Sequence, residues 1–188
     1  MVSLLSSYEP IASHEVKWAG GTIPLRVSAY TRVVPLPAEI VTSVRCIVIV
    51  EELVVFCQNA DGSHAWPGGR RLPGESYVET AAREVHEETG WLIDRDSMRQ
   101  LGWLHLAHLS QREIDDGLPY PDFLQIVFCA KASERAVGRD EQWTDIDGYE
   151  SSCRLVSLAE AMSATSTDLL ANAFLGLLAE KLSSGEIT

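Results

Sequence analysis

Three glutamates crowd one face of a predicted helix. The helical period covers residues 76–89, and within it Glu84, Glu87 and Glu88 are neighbours because side chains three and four positions apart share a face. At an effective dielectric constant of about 20, two carboxylates roughly 5 Å apart repel by about 3 kcal/mol. Since carboxylate oxygens suit hard divalent cations, the cluster indicates a site for Mg²⁺ or Mn²⁺.

The alternative is an acidic helix face that is merely solvated. A helix built only for solubility would interleave lysines one turn away, but the whole chain contains three. The predicted core-facing stripe is separate from the glutamates, and it consists of Val78, Ala81, Ala82, Val85 and Thr89.

The spacing of residues around this helix argues against the solvated alternative. Residues 69–91 read GRRLPGESYVETAAREVHEETGW, which resembles the signature of the Nudix hydrolase family, G-x5-E-x7-R-E-U-x-E-E-x-G-U, where U is a bulky aliphatic residue. A chance match at seven fixed positions has odds of about one in 10⁵ or less. Only the last position departs, and Trp91 is expected to fill the same packing role there. The WPGG sequence at 66–69 and the flanking strands extend the resemblance loosely over residues 40–160.

The resemblance implies an α/β fold, specifically a Nudix-like α/β/α sandwich with a mixed β-sheet and C-terminal helices. We expect a single domain over residues 1–188, with an N-terminal extension at 1–42 that contains a strand, the Nudix box at 69–91, and C-terminal helices at 157–182. The implied activity is metal-dependent hydrolysis of a pyrophosphate linkage in a nucleoside diphosphate linked to another moiety, by attack of water on phosphorus. The alternative on the same fold is a catalytically silent module that senses a nucleotide.

Site residues follow from the resemblance, position by position. Glu84 and Glu88 match metal ligands, and Glu87 matches either a ligand or the general base. Arg83 matches the residue that orients the carboxylates. Gly69 would approach the metal through its backbone carbonyl.

Three further acids complete the expected site. Glu75 is expected to hold the loop against the helix, with a secondary chance of contacting a cation. In many relatives one more acid comes from a later loop, and Glu141 and Glu150 are the candidates here, although solvation is the simpler reading of each. The sequence marks of several Nudix subfamilies are missing from their expected places, so the identity of the substrate stays open.

The net charge of the chain limits its partners. Twenty-seven acidic and fifteen basic residues leave a charge of −12, which repels duplex nucleic acid and anionic membranes. The expected partner is a small nucleotide or dinucleotide-type diphosphate, bound with the help of a cation. The sequence shows no signal peptide or membrane span, so a cytoplasmic protein is expected. A strand within 1–42 could also pair with a second copy to form a homodimer.

Local patterns predict the remaining elements. Residues 44–50 and 53–57 are strand-like and are expected to form a hairpin. The four cysteines lie far apart and contain no CxxC pair, so they are expected to be free thiols. Trp103, Tyr120 and Phe123 could stack on a base or sugar, but packing is the simpler role for each.

Overall fold

The computed structural model describes residues 8–18, 21–59, 65–111, 117–139, 141–146 and 150–187. The strands in these residues are β1 (Ala12–Trp18), β2 (Ile23–Tyr30), β3 (Val41–Val50), β4 (Leu53–Asn59), β5 (Trp91–Ile93), β6 (Arg99–His108), β7 (Asp122–Arg135) and β8 (Glu150–Ser157). The helices in the described residues are α1 (Tyr77–Thr89), α2 (Leu158–Ala164) and α3 (Leu169–Ser183), and a 3₁₀ turn covers Arg95–Ser97.

The strands form one mixed sheet. Its order is β1-β2-β6-β7-β3-β4-β8, and β5 pairs with the end of β7. The β3–β7 pair is parallel, whereas the other strand pairs described are antiparallel. The predicted β3–β4 hairpin is confirmed: Val50 pairs with Leu53 across a two-residue turn, and Glu51 in that turn has a positive φ of 57°.

Helices cover both faces of the sheet. On one face, Ala81 and Val85 of α1 pack in a hydrophobic cluster with Val44 of β3. On the other face, Phe174 of α3 packs in a second cluster with Ile47 of β3. Alternate residues of one strand therefore serve opposite layers, as the pleat of a β-strand requires. The α/β/α layering confirms the predicted fold class.

The ends of α1 are fixed by local sequence signals. The Ser76 side chain accepts a hydrogen bond from the Glu79 N–H, and the Glu79 carboxylate accepts one from the Ser76 N–H, which together make a capping box. At the other end Gly90 has a φ of 72° and its N–H donates to the His86 carbonyl. A Cβ at Gly90 would also collide with the ring of Trp143, so both conformation and space favour glycine there.

The buried face of α1 matches the predicted stripe only in part. In α1, Ala81, Val85 and Thr89 are buried as predicted, but Val78 and Ala82 are only half-buried. In α3 the buried residues are Leu170, Ala171, Phe174, Leu175 and Leu178. Apolar residues occur nearly all round α3, so periodicity alone does not fix which side packs. No helix in the described part of the chain is long and apolar enough to span a membrane.

The prediction of four free thiols is wrong for one pair. Cys57 of β4 and Cys153 of β8 are direct cross-strand partners and form a disulfide, although they lie 96 residues apart in sequence. Cys46 and Cys129 are free and buried. Spacing could not reveal the bridge, because the fold alone brings β4 beside β8.

Thiol titration tests this bridge. In denaturant without a reductant, two thiols per chain should react with a disulfide reagent, rising to four after reduction. Reduction should also lower the free energy of unfolding by about 2–4 kcal/mol, because the cross-link constrains the unfolded chain. Four reactive thiols before reduction would contradict the bridge, and Cys57→Ser provides the control, with three.

Candidate active site

The Arg83 guanidinium lies at the centre of the Nudix box. Its Nε and Nη2 atoms donate to the two carboxylate oxygens of Glu75, at 2.7 and 3.1 Å. Its Nη1 atom donates to both Glu84 and Glu87, at 2.9 Å each. A single cation therefore gathers three carboxylates, and its planar fork fixes the direction of each bond.

Glu75 joins the loop that precedes α1 to the helix itself. Besides the Arg83 guanidinium, its carboxylate accepts hydrogen bonds from the Leu72 N–H at 3.0 Å and the Thr80 hydroxyl at 2.9 Å. The hydrogen bond from Arg83 is the largest of the effects that lower the pKa of Glu75, to about 2. Glu75 is therefore ionised throughout the neutral range and supplies a permanent anchor for Arg83.

Glu84 is buried beneath the loop that carries Gly69. Only 8% of Glu84 is exposed, and a Cβ on Gly69 would lie 2.5 Å from both of its carboxylate oxygens. Glycine is thus required at 69 because the backbone approaches a carboxylate directly. Burial raises the pKa of Glu84, and the neighbouring Glu87 carboxylate raises it further, while Arg83 opposes both effects.

Strand β3 holds this loop in place. The Val44 N–H donates to the Gly69 carbonyl at 3.1 Å, and the Cys46 N–H donates to the Pro67 carbonyl at 2.9 Å. Facing the helix, the Gly68 N–H donates to Glu88 Oε2 at 3.0 Å. The loop is thereby attached to the sheet on one side and to a box carboxylate on the other.

The donor set suits a hard divalent cation, although its members are held by hydrogen bonds. Among the described residues, no three His, Cys, Asp or Glu side chains converge closely enough to enclose an ion. In the box, Arg83 Nη1 lies between Glu84 and Glu87 and compensates part of their charge. Mg²⁺ usually takes one or two carboxylates and completes its shell with water and phosphate oxygens, so a tighter cage is not required.

The later acids lie in different places. Glu141 is exposed, and its backbone carbonyl accepts a hydrogen bond from Arg135, whose Nε also donates to the Thr89 carbonyl at the end of α1. Glu150 begins β8, and its side chain lies outside what the structure describes.

Sequence analysis missed a further acid, Asp145. The Trp143 indole N–H and the Ile146 N–H both donate to the Glu87 carbonyl, so this segment lies against the last turn of α1. Asp145, within the same segment, is 6% exposed. Its position depends on tertiary packing, and the only signal in the sequence is an acid within an irregular acidic stretch.

Comparisons with known proteins agree with this geometry. The NUDIX domain family matches residues 40–174. The chain is similar to a mutant of the Bacillus subtilis pyrophosphohydrolase BsRppH, with a TM-score of 0.62 and 20% identity over 93% of this chain and 99% of that one. It is also similar to a NUDIX hydrolase from Nitrosomonas europaea, with a TM-score of 0.51 and 18% identity over 76% of this chain and 88% of that one.

At these identities the two solved structures show the fold alone. No curated protein matches the sequence significantly. The family match itself spans well over half of the chain and includes the whole of the box that carries Arg83 and its carboxylates. This chain therefore belongs to the Nudix family.

Proposed function

We propose that this protein hydrolyses the pyrophosphate linkage of a nucleoside diphosphate joined to another moiety, with Mg²⁺ or Mn²⁺ as its cofactor. The observation that carries the proposal is the network around Arg83. It assembles Glu75, Glu84 and Glu87 into one cluster, and the Gly69 backbone approaches the carboxylate of Glu84 directly.

The proposed metal ligands are Glu84 and Glu88, with the Gly69 carbonyl beside them. Glu84 is buried with a raised pKa, so its ionised form lacks solvation and would gain from a cation. Glu88 is held through Oε2 by the Gly68 N–H. Bound Mg²⁺ would neutralise charge on the non-bridging phosphate oxygens and lower the pKa of the attacking water.

Proton removal is assigned to Glu87, which could instead serve as a third ligand. Its side chain is 27% exposed, more than that of Glu84 at 11%, and only one of its carboxylate oxygens accepts a hydrogen bond from Arg83. A positioned carboxylate that takes a proton from water contributes about 10²–10⁴-fold to a rate. Arg83 orients both groups, and Glu75 in turn holds Arg83.

A later acid could complete the cation site. Glu141 and Glu150 are retained for this role, and the structure adds Asp145, whose segment contacts the backbone of Glu87. Single Asn or Gln substitutions at the three positions would rank them by loss of Mg²⁺ affinity.

The central prediction concerns turnover. Glu84→Gln and Glu88→Gln should each lower kcat by at least about a hundredfold, because each removes a ligand for the ion that stabilises charge in the transition state. The assay measures phosphate release, coupled to a phosphatase, from nucleotide sugars, ADP-ribose, dinucleotides and nucleoside triphosphates. EDTA should abolish the signal.

The matched control is Glu79→Gln, on an exposed position of the same helix. Glutamine at this position keeps the capping box, so kcat should stay within about twofold of the wild type. Wild-type turnover in Glu88→Gln would overturn the role assigned to Glu88. Nucleotide binding without any turnover by the wild type would instead support the catalytically silent sensor.

A second prediction concerns the stability of the metal-free protein. Because the folded state raises the pKa of Glu84, the folded protein holds that proton more tightly than the unfolded chain does, and ionised Glu84 opposes folding at pH 7. In EDTA, Glu84→Gln should therefore have a higher Tm than the wild type at pH 7. The difference should shrink as the pH falls toward about 4, where the unfolded chain also binds the proton. A difference in Tm that does not vary with pH would contradict this account.

A further inference from the structure

Two cavities near the box have three lining residues in common. The first, of about 110 Å³, lies between the sheet and α3 and is lined by residues of both, including Leu106 and Phe174. The second, of about 120 Å³, reaches Gly69 of the box loop. Trp18, Arg45 and Gln125 line both. The two cavities are therefore neighbours, and the second one touches the loop of the box.

Gln125 is a polar residue of this space that the proposed chemistry does not use. It lies in β7 and is 5% exposed. No other described residue hydrogen-bonds its carboxamide, whose atoms are not among the fully buried ones and which lines both cavities. A ligand in the cavities could therefore supply its hydrogen-bond partner. A carboxamide offers a donor and an acceptor side by side, which matches the hydrogen-bonding edge of a nucleobase.

Trp18 and Arg45 occupy complementary positions around Gln125. Trp18, from the N-terminal strand β1, is half-buried and contacts Phe123 with ring centroids 5.9 Å apart. Its indole supplies a flat apolar wall of the kind on which bases stack. Arg45 donates to the Gly68 carbonyl at 2.6 Å, so its positive charge lies between the box loop and the cavities.

We propose that these two neighbouring cavities bind the nucleoside half of the substrate, and that Gln125 and Trp18 determine its specificity. Gln125 hydrogen-bonds the edge of the base, Trp18 packs against its face, and Arg45 contacts the phosphate that follows the ribose. The proposal rests on the proposed function for the position of the diphosphate. It adds that the base, rather than the second moiety, occupies the space beneath α3.

Binding measurements test the pocket without requiring turnover. Calorimetry with Mg²⁺ would compare the α,β-methylene analogues of ADP, GDP, CDP and UDP with methylenebisphosphonate, which has no base or ribose. The wild type should bind at least one nucleoside analogue about tenfold or more tightly than methylenebisphosphonate. Gln125→Leu should weaken binding of that analogue about tenfold, and Trp18→Ala should weaken it by about five- to a hundredfold. Affinity for methylenebisphosphonate should not change in either variant.

Matched controls use exposed neighbours on the same strands. Lys17→Ala lies next to Trp18 and Lys131→Ala lies on β7, and neither should alter the affinity of any probe. Gln125→Leu should have a Tm no lower than that of the wild type, because the buried carboxamide makes no hydrogen bond with the described residues. Should that variant fail to fold, Gln125→Glu keeps the shape and replaces the amide donor, and it should show the same loss of affinity.

The pocket and the proposed chemistry can fail separately. Equal affinity for nucleoside analogues and methylenebisphosphonate, or unchanged affinity in both pocket variants, would overturn the pocket even if turnover depends on Glu84. Gln125-dependent binding in a protein that hydrolyses nothing would keep the pocket and reject the hydrolysis. The effect of Gln125→Leu on KM should depend on the base of the substrate. If it depended instead on the second moiety, the assignment of the base to this space would be wrong.

Discussion

The contact on which the site depends is the ion pairing of one guanidinium with three carboxylates. Without Arg83, the Glu75, Glu84 and Glu87 side chains would repel one another inside a partly desolvated cluster. Arg83 reduces that repulsion and also sets direction, because its fork meets Glu75 with two parallel bonds and leaves Nη1 for the other two. The cluster keeps a net negative charge, which is the condition for attracting a divalent cation.

The sheet provides the second constraint by positioning the loop above these carboxylates. Gly69 and Pro67 accept hydrogen bonds from successive alternate residues of β3, so the loop follows the strand. The opposite face of the same strand carries Arg45 toward the space under α3. Strand β3 thus lies between α1 and the cavity under α3. Because side chains alternate along a strand, Val44 faces α1 and Arg45 faces the cavity.

How much the sequence could predict depended on the distance over which each feature is determined. The box helix was predicted with its carboxylate face, because the helical period and i, i+4 neighbours are local properties of the chain. The Cys57–Cys153 bridge could not be predicted, since it exists only where β8 returns beside β4. Likewise nothing in the sequence indicated that Trp18, more than fifty residues from the box, lines a cavity beside it. Trp103, which the sequence offered as a residue that could stack on a base, is fully buried and stacks on Tyr30.

The acidity of the chain explains why cations are concentrated around the loop. A protein with a net charge of −12 repels a polyphosphate at long range, so attraction must come from charges close to the reacting group. Arg45 donates a hydrogen bond to the Gly68 carbonyl, and Arg70 lines the cavity that also touches Gly69. Arg83 donates to the Arg70 carbonyl. Arg83 bonds three carboxylates, and Arg45 lowers the pKa of Glu84 besides bonding the Gly68 carbonyl. Under the proposed function, a bound cation would therefore supply much of the attraction for phosphate. In the proposed pocket, the diphosphate would meet these charges at the box loop, and the base would lie in the cavities that Arg45 lines.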